Sequence, residues 1–166
     1  MNPRTQVTPP KKDFAVHICT VDLETGVSTS PARLIRSSSS GIAEGSHILK
    51  RGKFYYLFTA EGGTEEGHCE WVSRSETGPF GPWELGKVNP LWRNTAEDDV
   101  QNTGHADFVE DKNGRWWAVF LGVRPLKVGT TWRASPFGKS ERNDLRCILL
   151  INFRSRNFPG TYDVGG

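Results

Sequence analysis

The chain is predicted to be all-β, assembled from repeated hairpins, and three observations carry that prediction. Eighteen glycines, ten prolines, six tryptophans and nine phenylalanines in 166 residues supply turn formers and flat apolar groups, which suit short strands better than long helices. Short extended runs alternate with turn signals along most of the length. A heptapeptide also recurs: Gly52-Lys53-Phe54-Tyr55-Tyr56-Leu57-Phe58 lines up with Gly114-Arg115-Trp116-Trp117-Ala118-Val119-Phe120 at an offset of 62 residues, and Glu-Thr-Gly stands both at 24–26 and at 76–78. Four-stranded units repeating at about 40 to 50 residues mark a β-propeller. Two hairpins of an unrelated β protein could share such turns, so the repeat alone leaves both architectures open.

Taken in order, residues 1–13 hold two prolines and two lysines in tandem with little that is apolar, and read as a disordered leader. Ala15 to Asp22 forms a first extended piece, turning at Glu24-Thr25-Gly26 into a second over Val27 to Ile35. After the polar loop Ser37 to Gly41, His47 to Lys50 and Lys53 to Ala60 form a hairpin across Arg51-Gly52. Cys69 to Ser75 supplies the next strand, and a Gly/Pro-rich turn leads to a fourth at Trp83 to Leu85. Ala106 to Glu110 and Arg115 to Val123 close a further hairpin over Lys112-Asn113-Gly114. From Leu126 the composition shifts to seven basic against three acidic residues, and the apolar run Cys147 to Phe153 can form one more strand.

At 36% hydrophobic and 24% charged, the length suits one domain. No apolar run approaches the roughly 18 to 20 residues of a spanning helix. Met1 to Lys12 lacks the apolar stretch of a secretory signal, so the chain as written reads as cytoplasmic, with its residence otherwise unassigned. A net charge of +2 gives no reason to expect a nucleic-acid or membrane partner. Cys19, Cys69 and Cys147 are odd in number and widely spaced, matching neither a disulfide framework nor a metal motif. His17, His47 and His105 are scattered, and His68-Cys69 has no partner pair at zinc-like spacing.

Subtracting the repeat offset from His105 lands on Ala43, next to Glu44. The two polar groups should therefore open successive innermost strands and face the central channel, an acid/base or ligand-binding constellation. An exposed loop glutamate and a histidine satisfied by backbone would fit the same residues.

The segments GIAEGSHILKRGKFYYLFTAEGGTEEGHCEWVSRS and TGHADFVEDKNGRWWAVFLGVRP together resemble glycoside hydrolase family 43, five-bladed propeller β-xylosidases and α-L-arabinofuranosidases. The resemblance runs from about Ala15 to Pro125. It implies that Glu44, in the family's Glu-Gly-Pro-His motif, is the general acid. Ser46 replaces the proline, which should loosen the loop that aims Glu44. It implies further that His105 sits at the pocket floor, with no cofactor beyond a cation held there through waters, and that Arg124 orients substrate. Glu61 reads as structural or outer-pocket, and His68 and Arg74 as packing residues.

The family pattern places an aspartate base and a pKa-modulating aspartate upstream of Glu44, where Asp13 and Asp22 are present but neither carries the matching motif. Residues 14–125 are thus expected to form a partial family domain, about two blades of the five-bladed propeller. Residues 126–166 form a divergent basic tail, both ends reading as truncated or altered. The substrate implied is a pentose-containing oligosaccharide or polysaccharide of xylo or arabino configuration, cleaved with inversion, although a chain lacking both aspartates should be inactive alone. The alternative is a non-catalytic carbohydrate-binding remnant in which Phe54, Tyr55, Trp116 and Trp117 stack on sugar rings.

Overall fold

The computed structural model describes residues 14–124 and the strand segments 126–128, 131–133 and 146–153, so the leader expected at 1–13 lies outside the described residues. Every regular element among those described is a strand: β1 (Val16–Ile18), β2 (Arg33–Arg36), β3 (Ala43–Arg51), β4 (Phe54–Glu61), β5 (Cys69–Ser75), β6 (Glu84–Leu85), β7 (Gln101–Glu110), β8 (Trp116–Val123), β9 (Leu126–Val128), β10 (Thr131–Arg133) and β11 (Arg146–Phe153). They form a four-stranded antiparallel blade in the order β3-β4-β5-β6, a second blade in the order β11-β8-β7, and the pairs β1-β2 and β9-β10.

The first pair is shorter than the alternation of its residues suggests. Asp22 accepts hydrogen bonds from the Glu24 and Thr25 amides at 2.9 and 2.8 Å and from the Thr25 hydroxyl at 3.0 Å. That Asx turn competes with strand continuation, leaving only the bridge Val21 to Ser28 beyond β1. The inner strands are instead longer than expected. β3 begins at Ala43 and β7 at Gln101, because the stretches before the expected starts at His47 and Ala106 continue the strands through irregularities, Gly45-Ser46 in β3 and Asn102-Thr103 and His105-Ala106 in β7. The apolar run near the C-terminus lies as β11 along β8 in unbroken register from Arg146 opposite Val123 to Phe153 opposite Trp116.

The first-strand ladders also correct the simple offset. Arg51 faces Phe54 in one hairpin and Glu110 faces Trp116 in the other. The second strands therefore correspond at 62 residues and the first at 59, since the β7-β8 connection is three residues longer. Glu44 and His105 are not equivalent positions.

The core lies between the blades. Phe58, Val72, Leu91, Trp92, Ala106, Phe108, Trp116, Ala118 and Phe120 form one buried cluster, with Leu49 and Tyr56 against it. The rings of Phe58 and Phe108 approach to 4.0 Å between centroids, and Trp92 lies 6.0 Å from Phe108 and 5.4 Å from Phe120. Alternating burial along β8 turns Trp116, Ala118 and Phe120 into this layer. The blades are fixed to each other by apolar area, each large side chain contributing about 1.5 to 3 kcal/mol. That contact positions the two inner strands side by side.

Candidate functional site at the start of the inner strands

Glu44 is the second residue of β3, half-buried and opposite Ala60 of β4, which in turn faces Glu70 of β5. Directly paired residues share a sheet face, so Glu44, Ala60 and Glu70 form one row with the small alanine between two carboxyls. Gly45 follows at φ +53° in the bulge. The His105 imidazole covers it so closely that a Cβ on Gly45 would lie 2.6 Å from the ring Cδ2 and 2.8 Å from Cγ and Nε2. His105 is itself left-handed at φ +59° and exposed. Two bulges therefore meet across the blade interface, one aiming the carboxyl and the other the imidazole.

His68 lies behind them, 1% exposed. Its Nδ1–H donates to the Asn102 carbonyl at 2.8 Å, which places the lone pair on Nε2, and that atom has no partner among the described residues. Gly104 is required beside it, because a Cβ there would lie 2.7 Å from Nε2. Burial holds the His68 pKa below the ordinary histidine value, His105 lowering it further while the Asn102 bond and the Glu44 charge oppose. Glu44 and His105 thus share one electrostatic neighbourhood.

Glu70 is fully buried. Burial pushes its carboxyl up to about 8, against the pull of the Ala106 and His105 backbone amides, and the Glu61 charge raises it further. It is protonated at neutral pH. The sequence reading passed over this residue, because the burial of both faces of β5 is seen only in the fold.

The remaining candidates separate. Glu61, 2% exposed, pairs with Arg36 at 2.6 Å and accepts from Thr59 Oγ1 at 3.1 Å, and Arg36 stacks 5.1 Å from the Trp71 ring. This ion pair ties β2 to β4. Arg74 bonds Glu84 at 3.0 Å on the outer strands. Arg124 is exposed, one residue past Val123, which faces Gln101 at the start of β7. It follows the strand β8 that pairs with β7, the strand of His105. Asp22 is committed to its turn, and Asp13 lies outside the described residues.

Of the four aromatic rings, Trp116 is buried in the core, while Tyr55 takes Lys50 at 5.4 Å, Phe54 takes Lys53 at 4.9 Å and Trp117 takes Arg115 at 5.5 Å. Each is engaged in packing or by a cation. Among the described residues no three His, Cys, Asp or Glu side chains gather to hold a metal. The described residues around His105 therefore do not form a direct coordination shell.

Two packed antiparallel blades, with the bulges of Glu44's and His105's strands meeting between them, define a partial β-propeller. The model of the glycosyl hydrolases family 43 matches residues 7–143, and the chain belongs to that family. The match runs past 14–125 at both ends. The chain is 44% identical over 109 residues to a non-reducing end alpha-L-arabinofuranosidase of Bacteroides ovatus, covering 64% of this chain and 20% of that protein. It is 34% identical over 99 residues to a xylan 1,3-beta-xylosidase of a Vibrio species, covering 58% and 18%. Among solved structures, a Bacteroides ovatus family 43 protein superimposes with a TM-score of 0.64 at 39% identity over 70% of this chain and 24% of that one. The chain spans about a fifth of the length of these curated relatives. It is all-β and holds about two blades of the family's five-bladed propeller.

Proposed function

We propose that this chain carries the proton-donor part of an inverting glycosidase site for xylo- or arabino-configured pentosides, with Glu44 as the general acid. The observation that supports it best is the contact of His105 on Gly45, the residue that follows the half-buried Glu44. In this reading the Glu44 carboxyl gives its proton to the departing glycosidic oxygen, His105 forms the floor of the sugar pocket, and Arg124 reaches over the rim to hydroxyls of the substrate. Inversion needs a second carboxylate across the sugar, roughly 6.5 to 9.5 Å from the first, to activate water. Asp22 is committed to its turn and neither Asp13 nor Asp22 carries the family motif, so in this reading the base and the aspartate that tunes the acid are contributed by other blades, and these 166 residues are inactive alone.

The test is an exchange of segments. Residues 15–124 replace the matched segment of the Bacteroides ovatus arabinofuranosidase, and turnover of an arabino-oligosaccharide is followed. The chimera is expected to turn over and Glu44→Gln within it to lose about 10² to 10⁴ in kcat on an unactivated oligosaccharide. An active chimera indifferent to Glu44→Gln overturns the assignment of the acid.

A further inference from the structure

The bulge of β7 creates a problem that the ladder does not solve. Gly104 faces Leu121 and Asp107 faces Val119, so the two residues between them, His105 and Ala106, are outside the register with β8. Ala106 is 0% exposed, so water cannot take its amide, and a buried backbone N–H must find an acceptor. His105, a non-glycine residue held left-handed, also needs surroundings that fix it. One side chain meets both demands. Glu70 of β5, on the other blade and 36 residues away, accepts from the Ala106 amide through Oε2 at 3.1 Å, and the His105 backbone lies close enough to pull on the same carboxyl.

We propose that Glu70 is a positioning residue: its carboxyl clamps the β7 bulge across the blade interface and thereby fixes the His105 imidazole against Gly45, and through Gly45 the aim of Glu44. Glu70 is too buried to reach a substrate, so it acts only through these neighbours. The groups around it are Glu44 on β3 in the same row, Glu61 on β4, His68 and Cys69 beside it, and His105 on β7. The nearby guanidiniums are those of Arg36, engaged by Glu61, and of Arg93, which acts on Cys69; the charge that acts on Glu70 itself is that of Glu61, which disfavours a carboxylate there. The carboxyl is therefore an uncharged clamp, with Oε2 accepting from Ala106 and the proton assigned to Oε1, which has no partner among the described residues. Glutamine, which keeps the acceptor and puts N–H where O–H stood, should replace it. Leucine, which fills the space without an acceptor, should not.

This inference takes the Glu44–His105 pair as the site, but its test reads geometry and not turnover, so the two can fail separately. The 166-residue chain is labelled with ¹⁵N and ¹³C, and wild type, Glu70→Gln, Glu70→Leu and His105→Ala are compared. The readouts are exchange of the Ala106 amide, with the Leu57 amide of β4 as a reference for global opening, and the Gly45 Hα resonance, which the His105 ring displaces. Glu70→Gln is expected to keep both. Glu70→Leu is expected to speed Ala106 exchange at least about tenfold relative to Leu57 and to move Gly45 Hα to its position in His105→Ala. An unchanged Gly45 resonance in Glu70→Leu, or loss of Ala106 protection in Glu70→Gln, overturns the proposal. Should Glu70→Leu not fold, the glutamine variant alone decides.

Discussion

Gly45 shows how narrow the tolerances are where the two bulges meet. A methyl group there would collide with the His105 ring, and its backbone already lies at φ +53°. Gly45→Ala is expected to cost about 1 to 3 kcal/mol in urea unfolding and to expel the imidazole, seen as loss of the contact between Gly45 and His105 in NMR. Glu70 predicts a pH dependence. Its folded carboxyl stands near 8 against an ordinary 4.5, so between those values the folded chain keeps a proton that the unfolded chain has released. Its contribution is present in full below about pH 4.5 and is lost as pH rises through about 8, by at most about 1.4 kcal/mol per unit. His68, held neutral by burial, slopes the opposite way below its ordinary 6.5. The stability difference between wild type and Glu70→Gln therefore isolates the glutamate, and should grow as pH rises to 8. A flat difference would mean that Glu70 is ionised throughout. Glu44 and His105 were readable as candidates because short polar motifs surround them. Glu70 was not, because the burial that gives it a role comes from a blade about 36 residues further along the chain.

At the scale of strands, turn chemistry and apolar runs marked β4, β5 and β8 closely, and Cys69–Ser75 matches its expected bounds. The inner strands were underestimated for a physical reason. A glycine beside a polar residue signals a loop, yet in β3 and β7 the same pair makes a bulge whose partner strand continues. The β7-β8 turn is held by Asp111, whose carboxylate accepts from the Asn113 and Arg115 amides, Arg115 Nε and Trp117 Nε1. Those donors, the Trp117 indole foremost, hold it well below the usual carboxylate range. Packing between blades rests on fewer residues. Phe108→Ala removes the ring that meets both Phe58 and Trp92 and is expected to cost about 3 to 5 kcal/mol, enough to abolish cooperative thermal unfolding in a fragment of this size. A loss below about 1 kcal/mol would mean that the blades do not depend on this layer.

Two blades of five leave sheet faces and edges open that a closed ring would cover. Phe14 at 67%, Leu23 at 96% and Val109 at 60% exposure stand among these surfaces. The isolated chain is expected to self-associate at micromolar concentration, sedimenting above its 18.5 kDa, and a stable monomer would show that the open faces are less adhesive than their composition implies. The propeller was legible from the repeat and the family motifs together. The ring count of five came from the family motifs alone, since no periodicity within two blades states how many complete a circle.

The central claim, that the carboxyl of Glu44 delivers a proton to the leaving group, is tested most directly by the dependence of Glu44→Gln on that group within the active chimera. A leaving group stable as an anion, such as nitrophenolate, needs no proton, whereas an alkoxide sugar does. The loss in kcat should be small on nitrophenyl arabinofuranoside and at least about a hundredfold larger on an arabino-oligosaccharide. Equal losses on the two substrates would contradict the account, because Glu44 would then be acting on binding or folding and not as the acid.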